Sequence, residues 1–239
     1  MKYLRNGYVV SDLHMFTERT DVNTHMERIF RHADDADFMV LNGDIFDFRW
    51  TTLEDFDATT KEAALWLSNV CRRFPKCRFF YVMGNHDGLE HFRGTLDRLS
   101  EEMSNFQWNP SHIKIGDCLF LHGDVPMKMG LCDPLERRLL EDETMRGSAR
   151  QFGYRAIVSS RLHVLSSRLQ SPVYAAWRIH KSLVHHHPEL AAGLKNVYFG
   201  HIHKAFRNFY FRGLWFHNSG SAIKHLECDP INARPNHEQ

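Results

Sequence analysis

Short apolar runs alternate with amphipathic stretches along the first 125 residues. Three of these runs consist of β-branched or aromatic residues, are too short for helices and end in polar clusters: Tyr8–Val10, Phe38–Leu41 and Arg78–Val82. They predict buried strands. This alternation of strands with amphipathic segments is typical of an α/β domain rather than a helical bundle or a β-sandwich.

Helices are predicted between the strands. Ala63, Leu67, Val70 and Phe74 recur at spacings of four, three and four, which places one apolar stripe on a helix that covers the sheet. Thr24 followed by Glu27 fits a capping box, so we expect a helix over residues 24–33.

Beyond residue 113 the sequence pattern changes from strands to a long helical stretch and then back to strands. Residues 113–115 and 118–121 predict a hairpin around Gly116-Asp117, and residues 126–190 are helical in pattern and rich in Arg and His. Strands are predicted again at residues 196–199, 209–211, 214–217 and 222–226. We therefore expect a core of residues 1–125 and 191–228, an inserted helical lid at 126–190 and a loose C-terminal tail at 229–239.

Composition excludes several classes of protein. The chain has 239 residues, 43% hydrophobic and 25% charged, which suits one large folded domain with an insertion and not a disordered chain. A net charge of +1 gives no overall attraction to nucleic acid, so a nucleic-acid partner is not expected. No apolar run approaches the 18 residues of a spanning helix, and we expect an unprocessed N-terminus and at most peripheral membrane contact.

The cysteines favour a cytoplasmic location. They are odd in number, scattered and without a C-x-x-C pair: Cys71, Cys77, Cys118, Cys132 and Cys228. We expect reduced thiols and no disulfide framework.

Histidine is unusually abundant, with 17 residues, which points to metal binding or acid–base chemistry. Five polar motifs each follow a predicted strand: Asp12-Leu13-His14, Gly43-Asp44-Ile45-Phe46-Asp47, Gly84-Asn85-His86-Asp87, His122-Gly123-Asp124 and Gly200-His201-Ile202-His203. A random chain of this composition would contain about one D-x-H, but only about 0.06 to 0.07 copies each of G-D-x-x-D, H-G-D and G-H-x-H, and about 0.003 of G-N-H-D. Ligands of α/β sheets bind beyond the carboxyl ends of the strands, so these side chains are predicted to converge.

The residue types suit two divalent ions. Ions about 3.5 to 4 Å apart need a shared ligand, and a carboxylate can bridge where an imidazole cannot, so we assign Asp44 as the bridge. Mixed imidazole and carboxylate ligands favour Mn, Fe, Co, Ni or Zn over Mg or Ca. Such a pair acidifies a bridging water to hydroxide and neutralises a phosphoryl group, so phosphoester hydrolysis by hydroxide attack is predicted.

The ordered motifs resemble the calcineurin-like metallophosphoesterase superfamily. The resemblance implies a four-layer α/β sandwich of two mixed β-sheets flanked by helices. It also implies that one ion is held by Asp12, His14, Asp44 and His203, and the other by Asp44, Asn85, His122 and His201. The resemblance further implies that His86 takes the catalytic position, where it would stabilise the transition-state charge or protonate the leaving oxygen, and that Asp87 would fix its tautomer. Of the transition metals, Mn is favoured.

A finer resemblance concerns the substrate. Asn42–Trp50, Leu121–Asp124 and the helical insertion resemble the UDP-2,3-diacylglucosamine hydrolases of lipid A synthesis, which release UMP and an acylated sugar phosphate. Met15 and Asp87 depart from the protein Ser/Thr phosphatase pattern, while Asn218–Ser221 lacks the Gly-Asp-Trp-like ending of many of the hydrolases. The resemblance implies a nucleotide-linked or lipid-linked substrate and peripheral contact with the inner face of a membrane through the lid.

Several alternatives stay open at this point. Asp47 either orients a neighbouring side chain or only forms an Asx turn. The lid stripe of Val158, Leu162, Leu165, Leu169 and Val173 either packs on the core or faces an acyl groove. The run His185–His187 is interpreted as a surface segment, and no substrate-binding residues are assigned. Alternative functions are a cyclic-nucleotide or general phosphodiesterase, a nuclease, or a non-catalytic metal-binding module.

Overall fold

The computed structural model describes residues 4–124 and 170–237. The first part holds β1 (Gly7–Val10), α1 (Val22–Phe30), β2 (Phe38–Asn42), α2 (Phe56–Arg73), β3 (Arg78–Val82), α3 (Glu90–Glu102), β4 (Phe106–Asn109), β5 (His112–Ile115) and β6 (Cys118–Leu121). The second part holds α4 (Pro172–His186), α5 (Pro188–Ala191), β7 (Asn196–Phe199), β8 (Phe206–Phe211), β9 (Leu214–Asn218) and β10 (Ile231–Ala233). The predicted strands over 38–41, 78–82, 118–121 and 196–199 are present.

The strands form two mixed sheets. In the first sheet the order is β10-β1-β2-β3-β4, with β1 to β4 parallel and β10 antiparallel to β1. In the second sheet the order is β5-β6-β7-β9-β8, with β6, β7 and β9 parallel and the two edge strands antiparallel. The predicted fold class is confirmed.

Three apolar clusters separate four layers. One lies between the first sheet and helices α1 to α3, and it includes Phe46 and Phe92. A second lies between the two sheets, where Phe38 and Phe120 meet edge to face with ring centroids 6.1 Å apart. The third lies between the second sheet and α4, where Ile179 is buried. Each sheet thus buries both faces over much of its area, which explains the nearly continuous apolar runs of its central strands.

Two local predictions differ from the structure. Helix α1 begins after Asp21, and Thr24 lies inside its first turn, where the hydroxyl donates to the Asp21 carbonyl. Residues 222–226 do not form a strand, because His225 takes a left-handed φ of 69° and the chain turns there, leaving a single bridge from Ile223 to Thr20.

The predicted loose tail is also wrong over residues 231–233. These residues form β10, which pairs with β1 and buries Ile231 and Ala233. Three residues among polar neighbours carry no periodic signal, and their burial comes from pairing with the exposed edge of β1.

Residues 125–169 lie outside the described part, and with them most of the predicted lid: Cys132, the stripe from Val158 to Leu169, and the arginines at 137, 138, 146, 150, 155, 161 and 168. The described end of that segment is α4, which packs Ile179 and Leu183 on the second sheet while Val173 is 51% exposed. The boundaries of core and lid stay predictions.

Among the described helices none is long and apolar enough to span a membrane, and the described cysteines are free and buried.

Candidate metal centre

All five motifs lie at the carboxyl ends of parallel strands, on one edge of the sandwich. Asp12 and His14 follow β1, Asp44 follows β2, Asn85 and His86 follow β3, His122 follows β6, and His201 and His203 follow β7. Asn42, the last residue of β2, ties the two sheets together at this edge, because its Nδ2 donates to Leu121 O at 3.0 Å and Tyr198 O at 3.2 Å. The loops of both sheets therefore lie close together at the edge that the Asn42 hydrogen bonds join.

The backbone at the site is unusual. Most of the predicted ligands have left-handed φ angles: Asp12 (55°), His14 (47°), Asp44 (51°), His201 (67°) and His203 (52°). Among residues with a Cβ, Asp and His are two of those that enter this region most readily. Such a concentration of rare conformations turns successive side chains toward one point, and it is typical of functional sites.

Two motif glycines allow close approach to the carboxylates. A Cβ at Gly84 would collide with the side chain and backbone nitrogen of Asp44, and a Cβ at Gly200 would collide with Asp12 and Ser11. The glycines of G-N-H-D and G-H-x-H are thus required by the packing of one ligand loop on another.

The first predicted ligand set is a compact cluster. The Nε2 atom of His203 lies 3.2 Å from Asp12 Oδ1 and 3.2 Å from His14 Nε2. His14 Nε2 in turn lies 3.9 Å from both Asp12 Oδ1 and Asp44 Oδ2. Ligand atoms of Asp12, His14 and His203 all lie within 4.8 Å of one another.

The second set adjoins the first through Asp44. Asp44 Oδ2 lies 3.3 Å from His122 Nε2, which lies 3.2 Å from Asn85 Oδ1. The same amide oxygen lies 3.1 Å from His201 Nδ1. Asp44 Oδ2 thus lies near a histidine of each set, 3.9 Å from His14 Nε2 and 3.3 Å from His122 Nε2, as a bridging ligand must.

These donors fit two divalent transition-metal ions. The carboxylates of Asp12 and Asp44 are buried, and the Nε2 atoms of His203 and His122 lie 3.2 Å and 3.3 Å from their oxygens. An imidazole, carboxylate and amide donor set matches borderline metals better than an all-oxygen set would.

Neighbouring groups hold the ligands in place. His122 Nδ1 lies 3.4 Å from Asn42 O and His14 Nδ1 lies 3.2 Å from Asp47 Oδ2, which leaves both Nε2 atoms toward the centre. Asp44 Oδ1 accepts the His86 backbone N–H at 2.7 Å. Partners of this kind fix the tautomer and direction of a ligating imidazole.

Asp47, and not Asp87, orients His86. Asp47 Oδ1 lies 2.9 Å from His86 Nδ1, so the expectation that Asp87 fixes this tautomer is wrong. The Asp87 carboxylate instead accepts from Gly84 N, Ile45 N and the Tyr81 hydroxyl, at 2.5 to 2.9 Å. The turn of Gly84–Asp87 points this carboxylate back at its own backbone, so it shapes the loop that carries Asn85 and His86.

Burial and neighbouring charges shift the pKa values of the clustered histidines and carboxylates. Burial and then the Arg19 guanidinium lower the pKa of His14 to about 3. Burial opposes a charge on His122, yet the carboxylates of Asp44 and Asp12 raise its pKa to about 10. Burial alone would raise the pKa of Asp44, but His122 and His86 hold it well below its usual range. The carboxylates are therefore ionised and ready to bind cations.

The cluster is open on one side. Asp12, His14, Asp44 and His122 are buried, whereas the His203 and His86 side chains are 22% and 17% exposed. His86 thus lies at the rim, beside the metal-binding set and within reach of a molecule that approaches from solvent.

Sequence reasoning missed several residues of the site. Arg19 is buried and its guanidinium contacts Asp47, although a single arginine in a polar loop carries no sequence signal. Ser221 Oγ donates to Asp12 O at 2.8 Å, and Ser219 Oγ accepts Ser11 N at 2.9 Å. The segment after β9 therefore holds the Asp12 loop in place through hydrogen bonds to its backbone.

A sequence profile described as calcineurin-like phosphoesterase matches residues 8–205, which include every predicted ligand. The chain belongs to the calcineurin-like phosphoesterase family. Its activity class is accordingly metal-dependent hydrolysis of phosphoesters. No curated protein matches this phosphoesterase in sequence.

A solved structure supports the fold of this calcineurin-like phosphoesterase. The crystal structure of a dimetal phosphatase from Danio rerio superposes with a TM-score of 0.51 at 12% identity, covering 98% of this chain and 93% of that one. The two-sheet sandwich described above is thus shared across nearly the whole length of both proteins.

Proposed function

We propose that this phosphoesterase hydrolyses a phosphodiester or a pyrophosphate at two divalent transition-metal ions, with Mn favoured. Asp12, His14, Asp44 and His203 would hold one ion, and Asp44, Asn85, His122 and His201 the other. The observation that carries the proposal is the position of Asp44, whose Oδ2 lies 3.9 Å from His14 Nε2 and 3.3 Å from His122 Nε2.

Two ions so bound supply an acidified water and positive charge for the phosphoryl group. The chain's own contribution is orientation. His86 is held through Nδ1 by Asp47 at the rim of the cluster, so its ring is fixed beside the place where the phosphoryl oxygens would bind. There it stabilises developing charge or protonates the leaving oxygen.

We further propose a nucleotide-linked diphosphate on an amphipathic carrier as substrate, specifically UDP-2,3-diacylglucosamine. The described end of the predicted lid supports this choice. Tyr174 and Trp177 on α4 are 43% and 36% exposed, with Arg178 and Lys181 over their rings. Exposed aromatic rings beside basic groups suit a membrane-borne or acylated phosphate. A peripheral membrane position is part of the same proposal.

A product assay tests the proposal. The protein is incubated with UDP-2,3-diacylglucosamine and Mn²⁺, and products are identified by mass spectrometry beside EDTA-treated protein and Asp44→Ala. Metal-dependent release of UMP and the acyl-sugar phosphate supports both parts. Hydrolysis of bis-p-nitrophenyl phosphate without UMP release would retain the dimetal reaction and overturn the substrate, which favours a general or cyclic-nucleotide phosphodiesterase. Full activity in Asp44→Ala would overturn the metal assignment.

A further inference from the structure

Arg19 is a buried cation beside the metal-binding set. Its side chain is 6% exposed, and its Nη2 contacts Asp47 Oδ2 and lies 2.6 Å from His14 Nδ1. None of the sequence motifs includes this arginine. A buried guanidinium is costly unless it is paired, so its position against Asp47 calls for a role.

Asp47 is the point on which the side chains of Arg19 and His86 and the backbone of Trp50 converge, with the His14 imidazole beside them. Its Oδ1 accepts from Trp50 N at 3.1 Å and lies 2.9 Å from His86 Nδ1. Its Oδ2 contacts Arg19 Nη2 and lies 3.2 Å from His14 Nδ1. Donors therefore reach both oxygens of the carboxylate, which restricts it to one orientation.

We propose that Arg19 is a positioning residue that locks the Asp47 carboxylate, so that this carboxylate aligns the rim residue His86. The inference rests on the proposed function, because it assigns Arg19 to the same reaction. Arg19 acts through Asp47 and does not itself touch substrate.

The loop that carries Arg19 is fixed on both sides. Thr17 Oγ1 donates to His14 O at 2.9 Å, and Thr20 Oγ1 donates to Leu13 O at 2.6 Å. Lys224 N donates to Arg19 O at 2.8 Å. The guanidinium is thus presented from a backbone that is tied to the Asp12–His14 loop, which a role in alignment requires.

The shape and permanent charge of a guanidinium explain why an arginine occupies this position. A guanidinium stays charged and presents several donors in a rigid plane, so it can satisfy a buried carboxylate without losing its charge. Without it, Asp47 Oδ2 keeps only the His14 imidazole, and the Trp50 N–H at Oδ1 is the main remaining restraint on rotation of the carboxylate away from His86.

The test compares Arg19→Met with wild type at saturating Mn²⁺ and bis-p-nitrophenyl phosphate. We expect kcat to fall about 10- to 100-fold with KM nearly unchanged and with bound metal retained by mass spectrometry. Arg19→Lys or added guanidinium should restore part of the loss. In the His86→Ala background the same change should lower kcat by less than about twofold, because the two residues act in one chain of contacts.

A matched control is Arg93→Met, which removes an arginine paired with the exposed Glu90 on α3 and should leave kcat unchanged. An equal loss from Arg19→Met with and without His86 would overturn the proposal, since it would indicate a merely structural role.

A second readout does not depend on activity. In a crystal structure of Arg19→Met we expect Asp47 to rotate and its distance to His86 Nδ1 to exceed hydrogen-bonding range. An unchanged contact would overturn this proposal whether or not the wild-type protein is active. Failure of the wild-type protein to hydrolyse either a phosphodiester or a pyrophosphate would separately refute the proposed function.

Discussion

Substitution of Asn42 by alanine tests the polar link beneath the metal centre. The amide donates to one carbonyl on β6 and one on β7, and it is buried. Each such hydrogen bond contributes about 0.5 to 1.5 kcal/mol, so the variant loses about 1 to 3 kcal/mol. Among the described residues Asn42 Oδ1 has no hydrogen-bond partner, and its removal returns about 1 kcal/mol.

The net expectation is a loss of about 0 to 2 kcal/mol in unfolding free energy, centred near 1 kcal/mol, which corresponds to about 2 to 4 °C in Tm for a chain of this size. Urea unfolding followed by tryptophan fluorescence measures the first quantity. Activity should fall as well, by about tenfold or more at saturating metal, because Asn42 joins the sheet edges that carry Asp44 and His122, and small misplacements are costly in catalysis.

Asn105→Ala is the matched control. Asn105 also donates from Nδ2 to backbone carbonyls, those of Cys71, Phe74 and Cys77, but away from the metal-binding loops. It should lose stability by a similar or larger amount and keep its kcat. The reasoning would be refuted if Asn42→Ala unfolded at the same urea concentration as wild type, or if Asn105→Ala reduced kcat equally.

Three further predictions concern the site and one buried histidine. His86→Ala should keep its metal content and lose turnover by about 10² to 10⁴, measured by steady-state kinetics beside metal analysis. EDTA should abolish activity and lower the Tm, and Mn²⁺ should restore both in wild type but not in Asp44→Ala, as differential scanning fluorimetry can show. Burial and then Arg207 lower the pKa of His217 to about 4 from 6.5, so the unfolded chain binds the extra proton and stability falls as pH drops from about 6.5 to about 4. His217→Gln should therefore lose less unfolding free energy between pH 7 and pH 5 in urea titrations, and equal losses in both proteins would contradict this.

Much of the fold is predictable from the sequence because the central strands are buried on both faces. Strand β2 is buried at every position, so Phe38–Leu41 appears as an uninterrupted apolar run. Strand β10 has no such signal, since its three residues owe their burial to a partner strand distant in sequence. Its position is a tertiary effect that local patterns do not encode.

The residues of the site also divide into those that local sequence predicts and those that only tertiary contacts reveal. Residue types and spacing place the metal-binding side chains at strand ends, and the geometry brings them together as expected, while their ligand roles stay predictions. The assignment of Asp87 to His86 failed because adjacency in sequence says nothing about which way a turn directs a carboxylate. Arg19 was not foreseen because its partner Asp47 lies 28 residues away.

Residues 219–222, which follow β9, determine when the hydrogen bonds that fix the Asp12 loop can form. The Asp12 carbonyl accepts from Ala222 N and Ser221 Oγ, and Ser11 pairs with Ser219, which lies 208 residues away. During synthesis the loop that carries Asp12 therefore leaves the ribosome long before its supports exist. The Asp12 loop can thus reach its final hydrogen bonding only after residues 219–222 have been synthesised, so formation of the site is coupled to long-range folding and not to local structure.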